Sequence, residues 1–295
     1  MLLIHHAARC RHAFPPSSLA ALRACAEAQA RVVEVDIQPL ADGEYALLHN
    51  ALLEEGTTGR GPVGGQSARA LEGLRLVWQG MITGEPVPLL SRVVDLVRGQ
   101  PFPQELQLDL KVYPSAPARE AALRSLAELV APLGQRVRVS STADWALRRL
   151  HALAPDLLLG FDPLLYLDVR PADSDRDAPP YRTGAYGYRD DHPLASRRWG
   201  TAAEYLRKRV EALWLQAPMA GIWYIRAQTL ARALDDGFDW IAYLHERGVL
   251  VAAWTLDPAE PGHLPLARRL AAAGADRITS NDAPALAEAL GGAEY

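Results

Sequence analysis

The sequence predicts an α/β protein built as a TIM-type (β/α)8 barrel, one domain over residues 1–295 with a loop insertion at about 162–200. Three observations carry this. Strand-like apolar runs alternate with helix-like runs along the chain, the pattern of a parallel sheet covered by helices. The chain has 295 residues, which suits a barrel of about 250 residues plus insertions. Hydrophobic residues make up 49% and charged residues 22%, so a large core is available and global disorder is disfavoured.

Strand candidates, in order, are 2–5, 31–37, 45–49, 106–111, 137–140, 157–161, 221–225 and 249–256, with a ninth short run at 276–279 before the last helix. Helix candidates include 18–30, 116–131, 143–154, 202–215, 228–247, 265–273 and 283–290. Ser17 or Ser18 offers a cap before Leu19-Ala20-Ala21, and Thr142 precedes a run containing Leu147 and Leu150. The third strand candidate fits a simple barrel poorly. Only 38–44 separates it from the second, where a parallel crossover takes about a dozen residues, and Asp42-Gly43 signals a turn.

The stretch 168–199, after the sixth strand candidate, is rich in Asp, Arg, Pro and Tyr and poor in aliphatics. One reading is a long solvated insertion. The other is a lid carrying Tyr181, Arg182, Tyr186, Tyr188 or Arg189 toward a ligand, because βα loops lie on the catalytic face of a barrel.

Bulk properties exclude several classes. A net charge of −4 with no long basic run argues against nucleic acid as the main partner. Two cysteines, Cys10 and Cys25, are too few for a disulfide framework or a thiolate metal site, and nothing beside Cys10 in sequence suggests an activated thiolate. No stretch reaches the roughly 18 apolar residues of a membrane span. The start at Met1-Leu2-Leu3-Ile4 lacks a basic, long-apolar leader, so a cytoplasmic location is expected.

Chemistry concentrates at strand ends. In Val33-Glu34-Val35-Asp36-Ile37, residues two apart share a face, so Glu34 and Asp36 point one way and the valines and isoleucine the other. Two adjacent carboxylates repel unless something positive lies between them, and a hard divalent cation suits oxygen ligands. A polar edge strand with two solvated acids is the plain alternative. In Leu106-Gln107-Leu108-Asp109-Leu110-Lys111 leucines alternate with polar residues. In a barrel the polar set faces the axis, so Asp109 can complete a three-carboxylate metal site with Glu34 and Asp36. Lys111 can neutralise developing charge on a bound anion; an ordinary amphipathic strand with an Asp–Lys pair also fits. His5 and His6 end the first strand candidate and His49 the third. Histidine suits both the base and the acid of phosphodiester cleavage near neutral pH. The loop after His49, with Gly56, Gly59 and Gly61, suits close approach to a ligand but lacks a nucleotide phosphate-loop pattern.

The order of these motifs resembles the glycerophosphodiester phosphodiesterase family, within the PLC-like phosphodiesterase barrels. His5-His6-Ala7 stands for that family's His-Arg-Gly, Pro15-Pro16-Ser17-Ser18-Leu19 for Pro-Glu-Asn-Thr-Leu, and Glu34-x-Asp36 for Glu-x-Asp. Asp42-Gly43, His49-Asn50, Val87-Pro88-Leu89-Leu90, Asp109-Leu110-Lys111 and Ser140-Ser141 follow in order. Trp254-Thr255-Leu256 and Gly274-Ala275-Asp276-Arg277-Ile278-Thr279-Ser280-Asn281 close the series. The resemblance implies hydrolysis of glycerophosphodiesters to glycerol 3-phosphate and an alcohol. It makes His5, or His6 in its place, and His49 the acid/base pair, and Glu34, Asp36 and Asp109 the ligands of Ca²⁺ or Mg²⁺. Lys111 becomes a phosphate-site residue and Trp254 a pocket aromatic. The family's Arg after the first His is absent, with Arg9 or Arg11 available from the loop. Asp109 stands for Glu, Asn50 for Asp and Ser17 for Asn.

Two further readings remain. One is a lysophospholipase D or sphingomyelinase D-like lipid phosphodiesterase, with Trp223 and Tyr224 as acyl-chain contacts. The other is a catalytically impaired barrel that only binds phosphoesters, suggested by the missing Arg.

Overall fold

Strand alternation is resolved here by closure of the sheet into a barrel. The computed structural model describes residues 1–10, 13–113, 117–167 and 201–295. Among these the strands are β1 (Leu2–His5), β2 (Val32–Pro39), β3 (Tyr45–Ala46), β4 (Arg75–Trp78), β5 (Met81–Pro86), β6 (Glu105–Leu110), β7 (Val137–Ser141), β8 (Leu158–Phe161), β9 (Ile222–Arg226), β10 (Leu250–Trp254) and β11 (Arg277–Ser280). Eight run parallel in the order β1-β11-β10-β9-β8-β7-β6-β2, and β2 pairs back with β1 to close the ring. The barrel predicted from sequence is therefore present, with eight of the nine candidates as its staves.

The exception is the third candidate. Tyr45 and Ala46 pair antiparallel with Pro39 and Gln38, so this piece is the return arm of a hairpin off β2. The Asp42-Gly43 turn, with Gly43 at φ +87°, reverses the chain before any crossover can form. Elements beyond the sequence expectation include the β4–β5 hairpin, a one-turn helix at Ala68–Leu71 and a helix at Leu90–Arg98, which buries Leu90, Val93, Val94 and Val97. The single helix expected over 228–247 is two, Ala227–Asp235 and Trp240–His245. Gly237 between them adopts φ +81°, which ends the first helix, and Asp239 caps the second by accepting from the Ala242 N–H. The insertion opens after β8, and 168–200, with the five lid candidates, lies outside the described residues, as do Arg11 and His12. No helix among the described residues is long and apolar enough to cross a membrane.

Alternation sorts side chains between two compartments. Val33, Val35, Ile37, Leu106, Leu108, Val137 and Val139 face the helices and join the main core with Leu22, Leu123, Leu147, Leu230 and Leu270. On this side Trp223 meets Phe161 and Trp240 edge-on at 5.1 and 6.3 Å between centroids. Ile4, Val32, Ile222, Tyr224 and Ala252 form a separate apolar plug inside the bore. Gly160 serves this plug: a Cβ there would lie 2.4 Å from Tyr224 Cε2, so only glycine lets the tyrosine ring cross the axis.

At the N-terminal ends of the strands the bore is closed by charge. Glu105, the first residue of β6, accepts two bonds from Arg277, at 2.6 and 3.0 Å, and two from Arg138, at 3.0 and 3.3 Å. All three side chains are largely shielded from water. Burial alone would raise the Glu105 carboxyl, but the bonds and charges of Arg277 and Arg138 overcome it and hold it at about 2, against an ordinary 4.5. Because the folded value is depressed, this contribution is complete above about pH 4.5 and is lost as pH falls through about 2. It amounts to about 3 kcal/mol. Replacing Glu105 by Gln should lower unfolding free energy at pH 7 by about 3 kcal/mol, leaving two guanidinium groups without their counter-charge. It should also flatten the decline of stability below pH 4.5, as read by urea denaturation across pH.

Candidate active site

At the opposite rim the same alternation gathers carboxylates. β2 turns Glu34, Asp36 and Gln38 inward, and its register with β6 sets Glu34 beside Gln107 and Asp36 beside Asp109. Glu34, Asp36 and Asp109 each bring a carboxylate oxygen within 4.8 Å of the other two. Lys111, two residues past Asp109, returns its ammonium to the group. It donates to Asp109 Oδ2 at 2.6 Å and lies 3.0 Å from Asp36 Oδ1.

The charges are unequally compensated. Burial and then the charges of Asp36 and Asp109 push the Glu34 carboxyl well above the usual carboxylate range, against the Ala7 N–H at 2.8 Å and the Lys111 charge. Burial acts on Asp36 in the same direction, but the Lys111 ammonium, with His49 and His6, outweighs it and holds Asp36 low. Burial would lower Lys111, yet Asp109 and Asp36 raise it well above its ordinary value, so it stays an ammonium. Ala7 and Ala8 adopt left-handed φ of +50° and +53°, uncommon for residues with a Cβ. That bend aims the Ala7 N–H at Glu34.

Of the two histidines at the end of β1, the fold brings only His6 to this cluster. His5 pairs in register with Val33 and so faces the helices, fully buried. His6 is one residue on, faces the bore, and sets Nε2 3.8 Å from Glu34 Oε2. Its Nδ1 is 2.7 Å from Asn281 Oδ1. The Asn281 amide nitrogen donates to Asp257 Oδ2 at 2.7 Å, which fixes the amide orientation, so Nδ1 must donate and neutral His6 carries its lone pair on Nε2. Burial lowers the His6 pKa, favouring that neutral form. Arg9 donates to the same Asn281 oxygen at 2.6 Å, so a guanidinium stands beside His6, although it comes from the loop rather than from the next residue.

His49 reaches the rim on the chain after β3. Gln38 donates to the carbonyls of Leu48 and Asn50 at 2.8 and 2.6 Å, and the Tyr113 hydroxyl donates to the His49 carbonyl at 2.7 Å. The exposed ring itself donates through Nδ1 to Asn50 Oδ1 at 2.8 Å. Trp254 ends β10 opposite Arg226, whose guanidinium lies 5.3 Å from the indole centroid. Trp223 and Tyr224, offered from sequence as acyl-chain contacts, are both core residues, 0% and 3% exposed. Sequence reasoning missed Gln38, Tyr113, Asn281 and Arg226. Gln38 extends the inward Glu34–Asp36 series and Tyr113 lies two residues past Lys111, so strand period could have marked both. Asn281 and Arg226 meet their partners only through the fold.

Three carboxylates against one ammonium leave two formal negative charges. An all-oxygen donor set of that charge fits a hard divalent cation.

Comparison with known proteins places this geometry in context. A model of the glycerophosphoryl diester phosphodiesterase family matches residues 10–284. A glycerophosphodiester phosphodiesterase of Caldanaerobacter subterraneus subsp. tengcongensis is 26% identical over 159 residues, 52% of this chain and 61% of that protein; the match thus spans less than two-thirds of the relative. Among solved structures, a Silicibacter pomeroyi protein superposes with a TM-score of 0.69 at 22% identity, covering 98% of this chain and 93% of the other. An Oleispira antarctica phosphodiesterase, solved with the product sn-glycerol-3-phosphate, superposes with a TM-score of 0.64 at 19% identity, covering 98% and 96%. At these identities the superpositions establish the shared barrel fold.

The two histidines should separate in a stability measurement. His5→Ala, at a fully buried position, should cost about 1–3 kcal/mol. His6→Ala, at the half-open rim, should cost less than about 1 kcal/mol. Chemical denaturation of both variants checks this, and the reverse order would contradict the outward placement of His5.

Proposed function

This chain belongs to the glycerophosphoryl diester phosphodiesterase family, matched over residues 10–284, and on that premise we propose that it hydrolyses glycerophosphodiesters to glycerol 3-phosphate and an alcohol. The observation that carries the proposal is the convergence of Glu34, Asp36 and Asp109 within 4.8 Å, with His6 Nε2 and Lys111 Nζ at their edge. The product found with the Oleispira antarctica protein of the same fold is the expected product here.

Each residue has a distinct task in this scheme. Glu34, Asp36 and Asp109 hold Ca²⁺ or Mg²⁺, which when bound offsets charge on the phosphoryl oxygens. Lys111 keeps its charge and faces a non-bridging oxygen, where negative charge grows as the nucleophile adds. His6, neutral with its lone pair on Nε2, takes the proton of the attacking hydroxyl, which belongs to water or to the substrate glycerol; in the second case the alcohol leaves from a cyclic phosphate that water then opens to glycerol 3-phosphate. Asn281 and Asp257 hold that ring in its working tautomer. His49, in its protonated form, returns a proton to the leaving alkoxide. Arg9 stands in for the guanidinium that the family carries next to its first histidine, and its position beside His6 favours a working enzyme over a barrel that only binds phosphoesters. Trp254 forms one wall for the glycerol moiety.

Assays with glycerophosphocholine test the scheme. Glu34→Ala, His6→Ala and His49→Ala should each lose activity by about 10²-fold or more, with folded circular dichroism spectra, whereas His5→Ala retains turnover in proportion to folded protein. Chelation should abolish hydrolysis, and added Mg²⁺ or Ca²⁺ should restore it. Because the ligand form of Glu34 is the carboxylate and its pKa is raised, cation affinity should increase with pH through and above the usual carboxylate range. Activity matching wild type in Glu34→Ala would remove the assignment. Faster turnover of lysophosphatidylcholine than of glycerophosphocholine would move it to the lipid-directed class.

A further inference from the structure

β1 divides two sets of donors. Inside the bore lie His6 and the carboxylates. Outside, under the helix Leu19–Glu27, lie His5, Cys10 and Cys25, each offering a nitrogen or sulfur within 4.8 Å of the other two. We propose that this second group is a binding site for Zn²⁺ or a similar thiolate-preferring divalent cation, separate from the carboxylate site and not required to exist by the proposed activity.

Four observations lead there. His5 is fully buried, yet Nε2 has no hydrogen-bond partner among the described residues. Its Nδ1 lies 3.1 Å from the Arg9 carbonyl, and a carbonyl only accepts, so Nδ1 donates and Nε2 holds the lone pair. That is the form in which histidine ligates metals, with its other nitrogen anchored to a carbonyl. The two cysteines are free thiols rather than a disulfide, and the Cys25 thiol donates to the Ala8 carbonyl at 3.2 Å, a bond that metal binding would replace. The charges also match. Two thiolates, one neutral imidazole and a divalent cation sum to zero, which suits a buried site better than either thiolate alone. In the metal-free protein, the Cys10 hydrogen bond and burial hold the Cys25 thiol far above its ordinary range, so loading the site releases protons.

Donor type separates the two sites. Sulfur and imidazole favour Zn²⁺, while the oxygen-only cluster favours Mg²⁺ or Ca²⁺. Cysteine count alone argues against a thiolate site because two sulfurs do not complete one. The fold supplies the third donor by turning His5 outward. Cys10 is half-buried, so water could supply a fourth ligand from that side. A cation here would tie the loop that carries His6 and Arg9 to the helix bearing Cys25.

The test uses the reduced, chelator-treated full chain titrated with Co²⁺, whose thiolate charge-transfer and tetrahedral ligand-field bands report the donor set, followed by competition with Zn²⁺. One equivalent should produce both bands, Zn²⁺ should abolish them, and protons should be released. Cys10→Ser, at the half-buried position, should remain folded and weaken binding beyond the ~10–100-fold that loss of a supporting residue costs; Cys25→Ser should do the same. A Glu34→Gln/Asp109→Asn double variant should keep the bands, which separates this site from the proposed catalytic one. Zn²⁺ should raise the melting temperature of wild type and leave that of Cys10→Ser unchanged. Folded, reduced wild type that shows no thiolate band, or an equal band in Cys10→Ser, would overturn the proposal. So would conversion of the pair to a disulfide in air with no metal uptake after re-reduction.

Discussion

The packing of three carboxylates into a few ångströms of space is the constraint around which the rest of this molecule is arranged. Glu34, Asp36 and Asp109 share a rim within 4.8 Å, and such a group repels itself unless compensated. Lys111 answers for Asp36 and Asp109, and a backbone N–H presented from a left-handed Ala7 answers in part for Glu34. The remainder is negative charge of the kind that, in the proposed function, would draw in a cation. The electrostatic cost in the folded state and the proposed chemistry have one origin.

A rim that works against folding needs support elsewhere, and the barrel provides it in layers. At the far end, Glu105 joins Arg138 and Arg277 in a buried cluster of one carboxylate between two guanidiniums, with hydrogen bonds satisfied on both carboxylate oxygens. Between the ends, Ile4, Val32, Ile222, Tyr224 and Ala252 fill the bore. Outside, a continuous core of aliphatics and the Phe161–Trp223–Trp240 group anchors the helices. In barrels of this kind the N-terminal ends of the strands hold stability and the C-terminal ends hold function, and here the two ends differ in electrostatic design. The lower cluster holds one carboxylate between two guanidiniums, and the upper one sets three carboxylates against one ammonium.

Second-layer contacts turn this rim into a defined geometry. Asp257 orients Asn281, and Asn281 accepts from both His6 and Arg9. Gln38 and Tyr113 hold the main chain around His49. The guanidinium that the family motif places next to its first histidine is thus supplied by Arg9 through a shared acceptor. A departure that looks damaging in the linear motif therefore still leaves a guanidinium beside His6.

Alternating strand-like and helix-like runs made the barrel class legible in the sequence, and period-two alternation, a local property, separated the helix-facing set Val33, Val35, Leu106 and Leu108 from the inward set Glu34, Asp36, Asp109 and Lys111. The sequence also marked a turn at Asp42-Gly43 and a spacing too short for a parallel crossover, and the structure showed the antiparallel hairpin. Which of His5 and His6 faces the bore came from the tertiary structure, because one residue of register flips a side chain to the other face, and register is fixed by pairing with β2 and β11 rather than by any neighbour in sequence. The same holds for Arg9 meeting Asn281, for Glu105 meeting Arg277 across 172 positions, and for His5 meeting two cysteines. These contacts exist because the sheet closes, and closure is a property of all eight strands together.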